Sequence, residues 1–261
     1  MTLAVCWLRS LPDYQELVIA SDSRTRGSVT FDSCAKIVPL SRGDAVMCYA
    51  GDTVYGYPLM LQAQTSVDNF YKSKSRALTI DSLVGHLMRF FAGVVSDRQL
   101  ETMPSLHELN KVRVEFIIAG FCWMHKKFEM YKIVFDECSK KFVKERAKLA
   151  MPGDVDTSFI IAGDDKRHFT TIMRNQIKNK DVKLFDMEPL YIISDAIKSS
   201  NEEHLGIGGS IQAYRVYQHM NNAPLPIILE GNRYAFGRKL LDYEEMQVSY
   251  WSMDENKLIQ K

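Results

Sequence analysis

The chain has 261 residues, 46% apolar and 25% charged, with 33 Lys and Arg against 32 Asp and Glu and a formal net charge of +1. These values exclude a disordered chain, and with no basic stripe along the sequence nucleic acid is not expected as a partner. No apolar run nears the roughly 20 residues that span a bilayer, and the start lacks the basic region and small-residue cleavage site of a signal peptide, so a cytoplasmic protein with no membrane partner is expected.

Five cysteines (Cys6, Cys34, Cys48, Cys122 and Cys138) form no CxxC pair, and no two of the six histidines stand one helical turn apart. Neither a disulfide framework nor a zinc site is therefore expected, and no metal or cofactor is assigned.

In chain order, residues 3–8 and 17–21 read as strands of a hairpin around Leu11-Pro12-Asp13-Tyr14, followed by short β-type runs at 28–31, 35–40 and 45–49 with breaks at Gly43 and Gly51. The period then changes. Leu59, Ala63, Val67 and Phe70 mark one face of a helix over 53–73 with Pro58 in its first turn. Thr79 is the expected N-cap of a second helix, with Asp81 in its first turn and a stripe of Ile80, Leu83, Val84, Leu87, Phe91 and Val94.

Strands return at 112–119 and 128–135, flanking the turn-like His125-Lys126-Lys127, and again at 158–162. Two further helices carry Phe169, Ile172, Met173 and Gln176, then Leu190, Ile193 and Ile197 behind Glu188-Pro189. Last strands are expected at 210–217 and 226–229 after Gly206-Ile207-Gly208-Gly209, and the polar end beyond Asp242 reads as a tail or a cover. The glycine-rich turn lacks a following Lys-Ser or Lys-Thr and precedes a strand, so it is not a phosphate loop. Runs of strands alternating with runs of helices predict an α+β protein: two antiparallel sheets packed together and covered by helices, a four-layer αββα sandwich in a single domain.

Ile19-Ala20-Ser21-Asp22-Ser23-Arg24 resembles the strand ending in Ala-Asp-Ser-Arg of proteasome β subunits and their relatives. Ala35-Lys36-Ile37 resembles the lysine strand of that family, Tyr49-Ala50-Gly51-Asp52 its glycine turn, and Met1-Thr2 the start of the bacterial HslV-type and Anbu-type peptidases. The order and approximate spacing agree. The resemblance implies an N-terminal nucleophile (Ntn) hydrolase in which Thr2, exposed by removal of Met1, attacks peptide bonds. A hydroxyl needs a base at neutral pH, and a free α-amine with a pKa of about 7.7–8.0 can serve. Lys36 would tune the amine and the hydroxyl, and Asp22 would hold Lys36 charged and aimed. Lys36→Ala is accordingly expected to lose activity without unfolding. The Gly51 N–H is implied as the oxyanion donor.

Two places depart from the family pattern. Gly163-Asp164-Asp165 stands where a Gly-Ser-Gly turn is usual, and His204 and Ile207 stand where an aspartate and a serine precede the double glycine, leaving Asp164 or Glu203 as candidate supports. The resemblance implies a self-assembled homo-oligomeric ring, a peptide or unfolded protein as substrate, and a separate ATP-dependent unfoldase as a possible partner. The alternatives are a ring or scaffold subunit that has lost cleavage, and an Ntn amidase acting on a small amide.

Overall fold

The computed structural model describes residues 2–26, 29–97, 111–147, 159–180, 185–199 and 206–260. Strands β1 (Leu3–Ser10) and β2 (Gln15–Ser21) form the opening hairpin, closed where the Leu11 N–H donates to the Tyr14 carbonyl. Both strands are buried nearly end to end because each has two covered faces. Leu3, Val5 and Trp7 point to one side of β1, and Ala4, Cys6 and Leu8 to the other.

The first sheet has the order β10-β1-β2-β11-β12, with β10 (Phe159–Gly163), β11 (Gln212–Tyr217) and β12 (Asn222–Pro224), all antiparallel. A second antiparallel sheet runs β5-β6-β7-β8-β9, from β5 (Ile37–Pro39), β6 (Ala45–Gly51), β7 (Val114–Cys122), β8 (Lys127–Asp136) and β9 (Lys141–Arg146). A small ribbon pairs β3 (Thr25–Arg26) with β4 (Thr30–Phe31). The chain is thus α+β, with five helices among the described residues and mostly antiparallel sheets.

Three apolar clusters hold the elements together. Ala4, Cys6, Leu17 and Ile19 of the first sheet meet Val46, Cys48, Ile117 and Met130 of the second. On the other face of β1 and β2, Leu3, Trp7 and Val18 pack with Phe169 and Met173 of α4 (Lys166–Lys180) and Leu190 and Ile193 of α5 (Glu188–Lys198). Met47, Tyr49 and Phe116 of the second sheet pack under Leu59 and Ala63 of α1 (Thr53–Asn69) and Leu83, Leu87 and Phe91 of α3 (Ile80–Ser96). Full burial of each such side chain contributes about 1.5–3 kcal/mol.

Several expected boundaries move, each for a local reason. The first helix stops at Asn69, because Phe70 turns extended and lays its ring against His86 of α3, 5.0 Å between centroids; a separate turn, α2 (Tyr71–Lys74), follows. Pro58 lies inside α1 and not in its first turn, and the backbone bond it forgoes falls on exposed Val54, where water can take the carbonyl. Thr79 does cap α3, its hydroxyl accepting from the Ser82 N–H at 3.2 Å, but the buried stripe ends on Val95 where Val94 was expected. Edge strand β9 escaped the hydrophobic pattern because only Phe142 in it is buried.

Beyond β13 (Ile227–Leu229), the chain adds β14 (Asn232–Ala235), β15 (Arg238–Lys239), β16 (Tyr250–Ser252) and β17 (Lys257–Ile259). They form a third sheet, β15-β14-β13-β16-β17, in which β13 and β16 run parallel. Tyr250 and Trp251 are buried, so the stretch after Asp242 is a cover and not a tail. Among the described residues no helix is long and apolar enough to cross a membrane.

Candidate active site

The register of the opening hairpin pairs Ala4 with Ser21, which carries Thr2 up to the end of β2 and sets Asp22 beside it. Two backbone bonds secure this junction: the Asp22 N–H donates to the Leu3 carbonyl at 3.2 Å, and the Leu3 N–H donates to Asp22 Oδ1 at 3.1 Å. Lys36 arrives from the facing sheet, immediately before β5, with its carbonyl accepting from the Tyr49 N–H of β6. Three residues separated in sequence thereby converge, buried, where the ends of β1, β2 and β5 meet.

Lys36 Nζ donates to Thr2 Oγ1 at 2.9 Å and to Asp22 Oδ1 at 2.9 Å. Thr2 is 1% exposed, and Asp22 and Lys36 are fully buried. A buried ion pair survives only when hydrogen bonds satisfy its groups, and both oxygens of Asp22 are satisfied here. Asp22 Oδ1 takes Leu3 N–H and Lys36, while Oδ2 takes the N–H groups of Arg24 at 3.2 Å and Gly208 at 3.1 Å. Burial pushes the Asp22 carboxyl above its ordinary value of 3.8, opposed by Lys36 and by the N–H bonds of Gly208 and Leu3. Nearby Cys48 is not a competing nucleophile, because burial holds its thiol at about 12 despite the charge of Lys36.

Asp164, the substitute support, lies on the backbone nitrogen of Thr2, whose N–H donates to Asp164 Oδ2 at 2.9 Å. In return the Asp164 N–H donates to the Thr2 carbonyl at 2.9 Å. In the full chain this nitrogen is a peptide amide; it is the atom that would become the α-amine if Met1 were removed. The close crossing depends on Gly163: its φ is +106°, and a Cβ there would overlap the Thr2 carbonyl oxygen. Gly51, with φ of +105°, ends β6 and shares an open groove with Gly163, Asp164, Asp165 and Glu115. The groove holds about 460 Å³. Lys166 pairs with Glu115 along its wall.

Glu203 and His204 lie outside the described residues. Ile207 is buried among apolar neighbours of α5 and β1, so it supplies no hydroxyl to the site. The neighbouring Gly208 contributes through its backbone, the N–H bond to Asp22.

Gln212, the first residue of β11, had no place in the sequence reading. Its amide nitrogen donates to the carbonyls of Asp22 and Cys34 at 3.0 Å each, and its oxygen accepts from the Lys36 N–H at 3.1 Å. One buried amide therefore ties the aspartate segment to the lysine segment. A glutamine opening a strand that follows the double glycine was the only signal that could have found it.

No known family model matches the chain, and no curated protein matches it.

Proposed function

We propose that the chain is an N-terminal threonine hydrolase of the proteasome-like Ntn class, folded as a four-layer αββα sandwich and cleaving peptide bonds with Thr2 once Met1 is removed. The observation that carries this reading is the position of Lys36 Nζ, 2.9 Å from both Thr2 Oγ1 and Asp22 Oδ1 in a buried setting. An ammonium aimed at a hydroxyl oxygen stabilises the alkoxide character that develops during attack. The apolar contact between two sheets, each with helices on its other face, supports the sandwich.

In this mechanism the Thr2 amine takes the proton from the Thr2 hydroxyl as Oγ1 forms a bond to the scissile carbonyl carbon. The Gly51 N–H donates to the oxyanion, a role worth about 10²–10³ in rate. Collapse breaks the carbon–nitrogen bond, and the amine's proton goes to the leaving nitrogen. Water, deprotonated by the same amine, then attacks the acyl carbon; the carbon–Oγ1 bond breaks and the amine's proton returns to Oγ1. Asp164 anchors the amine, and as a carboxylate it favours the ammonium form. A peptide or unfolded protein is the substrate, and assembly into a homo-oligomeric ring fed by a separate unfoldase is the expected setting.

Asp164 on the nucleophile's nitrogen and apolar Ile207 in place of a hydroxyl favour a second reading, a scaffold subunit without cleavage. Intact mass of the purified protein should show loss of the Met1 residue. Thr2→Ala should abolish hydrolysis of a fluorogenic peptide and labelling by an epoxyketone. Met1 retained in an active preparation, or undiminished cleavage by Thr2→Ala, would overturn the assignment of Thr2. Assembly without cleavage or labelling by either protein would establish the scaffold reading.

A further inference from the structure

Ligands that a β-hairpin brings together need neither a CxxC pair nor histidines one helical turn apart. At the β7–β8 turn, Cys122 Sγ lies 3.4 Å from His125 Nδ1, which lies 3.2 Å from Glu129 Oε1. All three ligand atoms are within 4.8 Å of one another. Around a tetrahedral ion with bonds of ~2.3 Å to sulfur and ~2.0–2.2 Å to nitrogen or oxygen, neighbouring ligand atoms sit ~3.3–3.6 Å apart, within about 0.2 Å of both contacts.

The register explains the convergence. Glu129 is the partner of Gly120, and Cys122 follows Gly120 by two residues, so Cys122 and Glu129 share a sheet face as diagonal neighbours. His125 is in the connecting turn, which reverses through Lys126 at φ of +48°. Cys122 and Glu129 are each 1% exposed, which is a costly place for a carboxylate without partners. Tyr131 donates to Glu129 Oε2 at 3.3 Å and orients it. Arg146 donates to Oε1 at 2.9 Å, and its side chain is nearly half-exposed, so it can yield that oxygen and turn to water.

We propose that the β7–β8 turn binds one thiophilic divalent cation, of which zinc is the type, through Cys122 Sγ, His125 Nδ1 and Glu129 Oε1 with water as fourth ligand. The site is empty. A thiolate and a carboxylate together neutralise the ion, and the mixed sulfur, nitrogen and oxygen set selects a borderline-soft metal over magnesium or calcium. Binding releases the Cys122 thiol proton to solvent. The site fastens the end of a hairpin whose opposite end, at Val114 and Glu115, lines the groove beside Gly51.

The test uses the full chain, stripped with chelator and titrated with Co²⁺ and then Zn²⁺. One equivalent of Co²⁺ should produce a thiolate-to-cobalt charge-transfer band that Zn²⁺ abolishes. At free zinc ~100-fold above Kd the melting temperature should rise by roughly 5 °C or more. His125→Ala changes a half-exposed turn residue, keeps the fold, and should weaken binding by ~100-fold or more, at least what loss of an outer partner costs. Cys138→Ser, at an exposed cysteine elsewhere, should leave binding intact. Absence of binding, a cobalt spectrum without the thiolate band, or affinity unchanged by His125→Ala would each overturn the proposal.

Discussion

Two buried ion pairs, Lys36–Asp22 and Arg42–Asp44, flank the short strand β5, and all four side chains are sealed from solvent. Arg42 clamps Asp44 with both arms of its fork, at 2.6 and 2.9 Å, and gives its remaining contact to the Leu78 carbonyl at 2.7 Å. Its geometry is bidentate, with Nη1 left buried and unbonded among the described residues, and it fastens the β5–β6 turn to the residue before the cap of α3. Lys36 is a point charge with three donors, of which one goes to Asp22 and another to the Thr2 hydroxyl. Both places bury a charge, but only the lysine directs its charge at a hydroxyl oxygen.

Replacing the cations should separate the pairs most sharply. Lys36→Met should remove hydrolysis altogether, whereas Arg42→Met should leave kcat/KM of the folded fraction within about twofold while lowering stability by ~3–5 kcal/mol, read from urea unfolding. Lys36→Met should also destabilise by a similar amount, because it strands Asp22 in the core. The sequence expectation that a Lys36 variant loses activity without unfolding is revised for this reason. Unaltered stability in Arg42→Met would show that its fork does no structural work.

Asp22→Asn should sharpen the contrast through pH. Because burial raises the Asp22 pKa, its ionised form is the costlier one in the folded chain. Its contribution to stability is full below the unfolded value of ~3.9 and is lost as pH rises through the folded value. The substitution should therefore destabilise more near pH 3 than near pH 7, in paired unfolding titrations.

Asp164→Asn removes a negative charge from the nitrogen of Thr2 and should lower the acid limb of the kcat/KM profile by ~1 pH unit. An unmoved limb would place Asp164 outside the proton transfer. The smallest change is expected on the scaffold side. Thr79→Ala deletes the α3 cap next to the Arg42 contact and should cost ~1 kcal/mol with peptidase activity unchanged.

Much of the framework was readable because it depends on local periodicity. The opening hairpin, the α3 cap at Thr79 and the apolar faces of α4 and α5 follow from spacing and turn residues close in the chain. The order of strand and helix runs was sufficient for the α+β class. Strand β9 and the strands that join β13 in the final sheet, β14 to β17, were not readable, since their pairing partners, and not their own composition, make them strands.

For the site, the sequence nominated Thr2, Asp22, Lys36 and Gly51 only through short motifs that resemble those of a known family, at strand ends and turns. Only the tertiary structure decided how they meet. The distance from Lys36 to Thr2 is set by the packing of two sheets, and Gln212 and Gly208 join from nearly the other end of the chain. Asp164 reaches the Thr2 nitrogen because Gly163 adopts a positive φ that lets two backbones cross at van der Waals limits. Cys122, His125 and Glu129 likewise converge through cross-strand register, a relation between strands that no spacing along one strand encodes.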